Sequence, residues 1–383
     1  MHPRRRMLLA ALATTGLPAV PALAIAASGD DDPIRRGRPL RFPRDHGAHL
    51  GARTEWWYAT GWLGTPAAPT HGVQVTFFRS RTGLAAESRS RFAARHVLFA
   101  HAAITDLGAR THWHAKRIGR WSGDPAARPD FARVDDAKVQ LGRWWIRRDP
   151  DGGADGGRGT VWRSRVDDGG TTLELALART QPVLLQGDAG FSRKSPVEEH
   201  ASHYYSEPQL DARAVIERDG QRTEGRGRAW LDQEWSEALL HPDAVGWDWI
   251  GMNLFDGSAL TAFELRRADG SALWAGGSLR PAGAPGGSVR AFAADEVRFS
   301  AGRRWTSPAT QARYPVGWRI EAPGGPYEVR ALLDAQELAG SGTGSGLGTI
   351  YWEGLSELLD ARGQRIGLGY LEMTGYAKRL RIS

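Results

Sequence analysis

The chain has 383 residues, of which 41% are hydrophobic and 24% are charged, a composition typical of globular proteins and not of disordered ones. Its formal net charge is +7, but the basic residues are spread along the chain, which argues against a nucleic-acid-binding patch. There is no cysteine, so disulfides, thiolate metal sites and lipid anchoring through cysteine are all excluded.

Residues 1–27 predict a secretory signal peptide. Three arginines at positions 4–6 precede an apolar run, and the Ala-Leu-Ala sequence at 22–24 offers small residues for cleavage. The paired arginines also suit the twin-arginine export route. An uncleaved membrane anchor is the alternative, which two prolines within the apolar run disfavour. We therefore expect an exported protein, periplasmic or secreted, with a polar linker at 28–39.

The first predicted strand covers residues 54–63 and follows a turn-forming lead-in at 41–49. With a period of two residues, Trp56 and Tyr58 lie on one face of this strand, and Glu55 lies on the other. Because aromatic residues occupy both faces, the Glu55 carboxylate is expected to be partly desolvated. Pairing with an arginine at the rim of a sheet is the alternative interpretation.

Further strands with an alternating pattern follow, separated by loops rich in glycine, proline and aspartate. They cover residues 73–79, 96–104, 144–146, 171–178, 212–217, 223–231, 247–255 and 258–265. Asp-Gly pairs at 219–220, 256–257 and 269–270 indicate tight hairpin turns. No long amphipathic helix is predicted, so we expect an all-β fold built from antiparallel hairpins.

Two consecutive closed barrels would remove the sheet edges and bury most of the sixteen tryptophans. The pattern of strands alone also allows two sandwiches. A polar connection at 237–244 is the predicted junction, which divides the chain into an N-terminal domain at 40–238 and a C-terminal domain at 239–383.

The strand that follows the junction carries the best candidate for acid chemistry. Asp248 shares a predicted face with apolar residues, whereas Trp247 and Trp249 take the opposite face. Burial disfavours the charged form of a carboxyl group, so Asp248 is a candidate general acid. The alternative is that an arginine or a backbone turn holds Asp248. In the preceding strand, Asp232 and Glu234 share one face.

Nothing in the sequence requires a cofactor. His112 and His114 would share a strand face, but no third ligand is evident, so no metal site is predicted. The glycine-rich stretch at 340–348 matches neither a dinucleotide fingerprint nor a phosphate-binding loop, and it is interpreted as a loop.

Five segments of the chain resemble the motifs of the AttH-like family, which includes the carotenoid 1,2-hydratases. They are residues 42–61, 101–106, 227–236, 246–249 and 367–376, in the family's order. The resemblance implies two lipocalin-like domains that bind an extended apolar ligand, an isoprenoid or a lipid. It implies either a hydratase or a non-catalytic periplasmic carrier that serves an ABC transporter.

Hydration of an isolated alkene requires an acid, aromatic faces that tolerate a carbocation, and a held water molecule. We expect Asp248 to supply the proton and Glu234 or His101 to position the water, with Asp232 and Glu55 as further catalytic candidates. The expected ligand-binding residues are the aromatic side chains Trp56, Tyr58, Tyr204, Trp230, Trp247 and Trp249.

One residue departs from the family pattern. The sequence Asp232-Gln233-Glu234-Trp235 stands where some members of the family carry Asp-His-Glu-Trp. Glutamine forms hydrogen bonds but cannot exchange a proton near neutral pH as imidazole can. If that histidine is catalytic in the hydratases, this protein binds a similar ligand without hydrating it.

Overall fold

The computed structural model describes residues 33–379 except 84–92, 125, 127, 150–158, 285–287 and 340–349. The predicted leader at 1–27 and the glycine-rich stretch at 340–348 lie outside the described residues. Over the part that is described, the chain forms strands and short 3-10 turns and no α-helix. No helix in that part has the length and apolar character needed to cross a membrane.

The first sheet contains strands β1 to β13, all in antiparallel pairs, in the order β4-β3-β2-β1-β13-β12-β9-β8-β7-β6-β5, with β10 and β11 added to β12. Their bounds are β1 Thr54–Gly64, β2 Pro69–Arg81, β3 His96–Asp106, β4 Thr111–Trp121, β5 Phe131–Ala132, β6 Lys138–Leu141, β7 Trp144–Asp149, β8 Val161–Asp168, β9 Thr171–Ala178, β10 Leu184–Leu185, β11 Phe191–Arg193, β12 Ala201–Arg218 and β13 Gln221–Ser236.

The second sheet follows the order β17-β16-β15-β14-β25-β24-β22-β21-β18, with β23 added to β24 and a separate β19-β20 ribbon. The bounds are β14 Ala244–Leu254, β15 Ala259–Arg267, β16 Ala272–Arg280, β17 Arg290–Phe292, β18 Arg298–Ala301, β19 Arg304–Thr306, β20 Arg313–Pro315, β21 Gly317–Glu321, β22 Tyr327–Ala331, β23 Glu337–Leu338, β24 Tyr351–Leu359 and β25 Arg365–Thr374.

The predicted all-β fold is confirmed, and each sheet curls around its own apolar core to give two consecutive lipocalin-like barrels. The first barrel is filled by side chains, including Trp57, Trp144 and Trp162, which are fully buried. Burial of such a large side chain stabilises the fold by about 1.5–3 kcal/mol. The interior of the first barrel is therefore a packed core. The alternative of two sandwiches is not adopted.

The outward faces of the two barrels meet each other, because the strands between them are apolar on both sides. On β1, Trp57 points into the first barrel, whereas Tyr58 and Trp62 belong to a separate apolar cluster that also contains Trp249 and Tyr370 of the second sheet. This strand alternation is the one predicted for residues 54–63. The face of β1 that carries Tyr58 and Trp62 packs against the other domain and is not exposed to solvent.

Buried polar contacts tie the two barrels together. The Gln209 backbone N–H donates to Asn253 Oδ1 at 2.8 Å, and Asn253 Nδ2 donates to the Ala229 carbonyl at 3.1 Å. Thr105 Oγ1 donates to Gln336 Oε1 at 2.8 Å. The short connection at 237–243 leads directly from β13 of the first barrel to β14 of the second. These contacts fix the relative position of the two outward faces.

Candidate functional site

A cavity lies between the outward faces of the two barrels, with a volume of about 100 Å³ for the centre of a water-sized sphere. Nine of the residues in its wall are Trp, Tyr or Phe, and four carboxyl groups open into it. The wall consists of Trp56, Tyr58, Thr76, Phe78, Phe99, His101, Ser192, Lys194, Tyr204, Asp232, Glu234, Leu239, Leu240, Trp247, Trp249, Phe263, Leu265, Tyr351, Glu353, Glu372 and Thr374. The site thus belongs to neither barrel alone.

Asp232 is a fully enclosed carboxyl group of β13 that accepts three hydrogen bonds. Ser206 Oγ and Trp230 Nε1 donate to its Oδ1 at 2.5 and 2.7 Å, and Tyr204 Oη donates to its Oδ2 at 3.0 Å. Burial raises the pKa of Asp232 to about 8, although the three donors act in the opposite direction. Asp232 therefore orients Tyr204 on the cavity wall through the hydrogen bond from the Tyr204 hydroxyl.

Glu234 forms the ionic part of the wall on the N-terminal domain. Lys194 Nζ lies 2.5 Å from its Oε1, and Ser202 Oγ donates to the same oxygen at 2.5 Å. The Lys194 ammonium also lies 4.8 Å from the centre of the Trp56 ring, a cation–π distance. Glu234 is therefore a carboxylate with a cationic partner, suited to hold or deprotonate water.

The C-terminal domain contributes Glu353 and Glu372, which are directly opposite each other on β24 and β25. Trp247 Nε1 donates to Glu372 Oε2 at 3.1 Å, but neither oxygen of Glu353 has a hydrogen-bond partner. Burial first, and then the charge of Glu372, raises the pKa of Glu353 well above its ordinary value. Burial also raises the pKa of Glu372. Burial and the neighbouring Glu372 therefore both favour the protonated form of Glu353.

His101 lies where the two domains meet. Its Nδ1 is 2.8 Å from Tyr351 Oη, and Gln74 Nε2 donates to the same hydroxyl at 3.4 Å. His101 Nδ1 and the Tyr351 hydroxyl share a hydrogen bond in which the donor is set by the tautomer of the imidazole ring. Burial lowers the pKa of His101 well below its usual range, so the ring is neutral.

The aromatic walls are held in fixed orientations. Trp249 is edge-on to Tyr58 at 5.5 Å and to Trp230 at 6.3 Å between ring centres, and its Nε1 donates to Tyr204 Oη at 3.2 Å. Ring faces attract positive charge, most strongly in tryptophan. An apolar ligand in this cavity, or a cation formed from it, would be surrounded by π systems and carboxyl groups.

Three of the sequence-predicted residues do not line the cavity. Asp248 points into the second barrel, where Arg266 Nε donates to it at 2.6 Å and Tyr376 Oη at 3.0 Å. Burial raises the pKa of Asp248 to about 6, with Arg266 opposing the shift. This is the arginine-held arrangement named above as the alternative for Asp248. Trp230 lies behind the wall, where it supports Asp232.

Glu55 is the third residue outside the cavity, and it belongs to a buried ionic network in the first barrel. Arg79 Nε donates to it at 3.0 Å, and His49 Nδ1 lies 2.7 Å away, while His49 Nε2 lies 3.0 Å from Asp45. Glu55 is thus paired with an arginine, as in the alternative interpretation given above. The pair is fully enclosed, however, and does not lie at an exposed rim of the sheet.

The remaining eight predicted residues do line the cavity. They are His101, Asp232, Glu234, Trp56, Tyr58, Tyr204, Trp247 and Trp249. A family model for AttH-like proteins matches residues 33–376.

The chain belongs to the AttH-like family.

The resemblance seen in the sequence motifs of this AttH-like protein is thereby confirmed. The solved structure of a protein from Nitrosomonas europaea, described as a candidate AttH, shares 40% sequence identity with it. The match covers 90% of this chain and 99% of the other, with a TM-score of 0.77. A comparison with functionally curated protein sequences gave no significant match.

More distant structures share the fold of the AttH-like protein. Kievitone hydratase from Nectria haematococca is 13% identical, with a TM-score of 0.64 over 90% of this chain and 94% of its own. CghA is 14% identical, with a TM-score of 0.52 over 92% of this chain and 97% of its own. At such low identity the likeness shows the architecture alone, a pair of lipocalin-like barrels that recurs in a hydratase.

Gln233, which stands where some members of the family carry histidine, lies outside the cavity of the AttH-like protein. Gln233 is on the face of β13 opposite to Asp232 and Glu234, and its Nε2 donates to the Gly47 carbonyl at 3.0 Å and to Glu55 at 3.2 Å. It therefore extends the buried ionic network of the first barrel. The exchange of histidine for glutamine changes no residue of the cavity wall.

The sequence analysis missed Glu353, Glu372 and Tyr351 as part of the site. A signal was present: on β24 and β25 these residues alternate with apolar ones, in the same pattern that identified Trp56 and Tyr58. The pattern could not show which part of the protein packs against that face of the strands.

Among the described residues, no group of three or more His, Cys, Asp or Glu side chains is placed to hold a metal ion.

Proposed function

We propose that the protein binds an extended, mainly apolar ligand in the cavity between the barrels and catalyses acid-dependent addition of water to a double bond, or the reverse reaction. One observation carries the proposal: Glu353 is a buried carboxyl group on an aromatic wall, with no partner inside the protein. An enclosed, protonated carboxyl group is what general-acid catalysis at neutral pH requires. The hydratase among the proteins of the same fold supports the same reaction class.

In this mechanism Glu353 replaces Asp248 as the proton donor, because Asp248 does not reach the ligand space. Glu353 gives its proton to one alkene carbon, and the electrons of the π bond form the new C–H bond. The other carbon becomes a cation that faces the ring of Trp249. Water then forms the C–O bond and loses a proton to Glu234, with His101 Nε2 as a further contact for the water. Glu234 afterwards releases this proton to solvent and Glu353 takes one up, which restores both groups.

The test begins with mass spectrometry of an organic extract of the protein purified from its native envelope, which identifies the bound ligand. The ligand is then incubated with the protein in water labelled with heavy oxygen. Glu353→Gln should lower incorporation of the label by about 10²–10⁴-fold, the usual contribution of a general acid. Unchanged incorporation in this variant would refute the role of Glu353.

Glu264→Gln is the matched control. Glu264 is also buried, and burial raises its pKa to about 7, but it lies outside the cavity, where the Phe299 N–H donates to it at 3.4 Å. The same chemical change at this position should leave incorporation within about twofold of the wild type. An equal loss in both variants would indicate a general effect of removing a buried carboxyl group.

Non-catalytic carriage is the second candidate function, and the enclosed position of the cavity between two tied domains favours it. In that case the wild-type protein retains its ligand through purification and incorporates no label. Export to the periplasm and service to an ABC transporter belong to the same proposal. They are tested by locating the mature protein in cell fractions and by crosslinking it to the membrane components of such a transporter.

A further inference from the structure

Two side chains in the cavity have polar atoms that no described group satisfies. The Tyr58 hydroxyl and both oxygens of Glu353 are buried without a hydrogen-bond partner, and the residues are only 6% and 2% exposed. Tyr58 comes from β1 and Glu353 from β24, so the pair spans the interface between the domains. The Tyr58 and Tyr351 hydroxyls both lie close enough to Glu353 to lower its pKa, but neither meets the distance and angle of a hydrogen bond to it.

Unpaired buried polar groups are rare because each costs about 1–3 kcal/mol. The other three carboxyl groups of the wall are satisfied: Asp232 by three donors, Glu234 by Lys194 and Glu372 by the Trp247 indole. The vacant hydrogen bonds are therefore concentrated at Tyr58 and Glu353, which line the same cavity. A group that is unpaired within the protein but directed into a ligand space is one that a ligand can satisfy.

The chemistry of the two groups defines the missing partner. Burial raises the pKa values of Tyr58 and Glu353, so both retain a proton and present O–H donors. Two neutral donors suit one oxygen with two lone pairs. An ammonium group has no lone pair to accept from them, and an anionic group would lie beside Glu234 and Glu372. A hydrocarbon would leave both donors unpaired.

We propose that Tyr58 and Glu353 form a two-donor site for a carbonyl oxygen, and that the ligand is a carbonyl compound with an extended apolar body. This inference rests on the proposed function, because it assigns the substrate class of the same cavity. A pairing of a tyrosine with a protonated carboxylic acid is an established way to stabilise negative charge that develops on a carbonyl oxygen.

The substrate class changes the order of the proton transfers. When the double bond is conjugated to the carbonyl, water forms its C–O bond at the far carbon, and the π electrons move to make an enol. Glu353 gives its proton to the carbonyl oxygen, and the water loses a proton to Glu234. When the enol reverts to the ketone, Glu353 recovers its proton and the near carbon receives the proton held by Glu234. The balance is one water added.

Equilibrium dialysis of two probes tests the site without any knowledge of the natural ligand. The probes are 2-acetylnaphthalene and 2-ethylnaphthalene, which share their ring system and differ in the carbonyl oxygen. The wild-type protein should bind the ketone at least tenfold more tightly than the hydrocarbon, because sites built for hydrogen bonds reject analogues that lack them. Equal affinity for the two probes would overturn the proposal.

Three variants identify the donors. Tyr58→Phe and Glu353→Leu should each reduce the preference for the ketone to about threefold or less, while affinity for 2-ethylnaphthalene stays the same or rises. Glu264→Gln, outside the cavity, should retain the full preference. If Glu353→Leu does not fold, Tyr58→Phe alone decides, since it removes one hydroxyl that has no partner in the protein. An unchanged preference in Tyr58→Phe would overturn the proposal.

Glu353→Gln separates this inference from the proposed function. The glutamine amide still donates a hydrogen bond but cannot transfer a proton near neutral pH. The ketone preference should therefore persist in this variant while turnover is lost. A wild-type protein that prefers the ketone but converts no ligand would support the two-donor site and refute the hydratase. Turnover without any ketone preference would refute the two-donor site and support the hydratase.

Discussion

The carboxyl group of Asp232 provides a quantitative test of the electrostatics of the cavity. Below pH 3.8, the ordinary pKa of the group, both the folded and the unfolded protein carry the proton. Between pH 3.8 and about 8, the unfolded chain releases the proton while the folded protein keeps it, so the free energy of unfolding falls as pH rises. Asp232 should therefore destabilise the protein increasingly through this window.

The size of the effect follows from the linkage of protonation to stability. Each pH unit in the window is worth about 1.36 kcal/mol, so the penalty at pH 7 is at most about 4 kcal/mol. Asparagine has nearly the same shape as aspartate and never ionises. Its amide oxygen can accept from Ser206 and Trp230, and its NH₂ group can donate to Tyr204 Oη. Asp232→Asn should thus be more stable than the wild type at neutral pH.

The assay is guanidinium unfolding at pH 5 and at pH 7, following the first transition of the two-domain chain. The advantage of Asp232→Asn over the wild type should widen by about 3 kcal/mol between the two pH values. Asp295→Asn makes the same change at an exposed position and should stay within about 0.5 kcal/mol of the wild type at both. A gap that does not depend on pH would refute the assignment of a buried, protonated Asp232.

Three further predictions concern the buried ionic network of the first barrel. Arg79→Met leaves the Glu55 carboxylate without its guanidinium partner and should cost about 3–5 kcal/mol of unfolding free energy; a loss below about 1 kcal/mol in denaturant titration would contradict this. Gln233→His should produce no gain in hydration, because the residue faces away from the cavity, and a variant that gains label in labelled water would show otherwise. Acid should also unfold the protein. Burial alone would raise the pKa values of Asp45 and Glu55, but hydrogen bonds and opposite charges outweigh it and lower both. The stability that these two carboxylates contribute is therefore present above about pH 4 and is lost as the pH falls through their folded-state pKa values, a loss that a near-UV circular dichroism titration would follow.

Much of the fold follows from local patterns in the sequence. Asp219-Gly220, Asp256-Gly257 and Asp269-Gly270 are turns that join consecutive strands in the structure, as predicted. Positive φ angles at Gly220, Gly257 and Gly270 explain why glycine occupies the second position. The ends of the strands were less well predicted: β12 and β13 extend well beyond the predicted segments, because pairing with their neighbours continues through polar residues.

The assignment of strand faces was also accurate, and for a physical reason. In a strand, consecutive side chains point to opposite faces whatever the rest of the chain does. The separation of Trp56 and Tyr58 from Trp57, and of Trp249 from Asp248, is therefore fixed by local geometry. The eight predicted residues that reach the cavity were found by this rule.

Tertiary structure decided what each face meets, and this is why Glu353 replaces Asp248 as the proposed proton donor. Asp248 was correctly placed on an apolar face, but that face is the interior of the second barrel, where Arg266, eighteen residues later in the chain, neutralises it. Glu353 lies on an equally apolar face that the first domain covers with Tyr58. Alternation along a strand determines which side chains share a face; only the packing of two barrels determines which of those faces encloses a ligand.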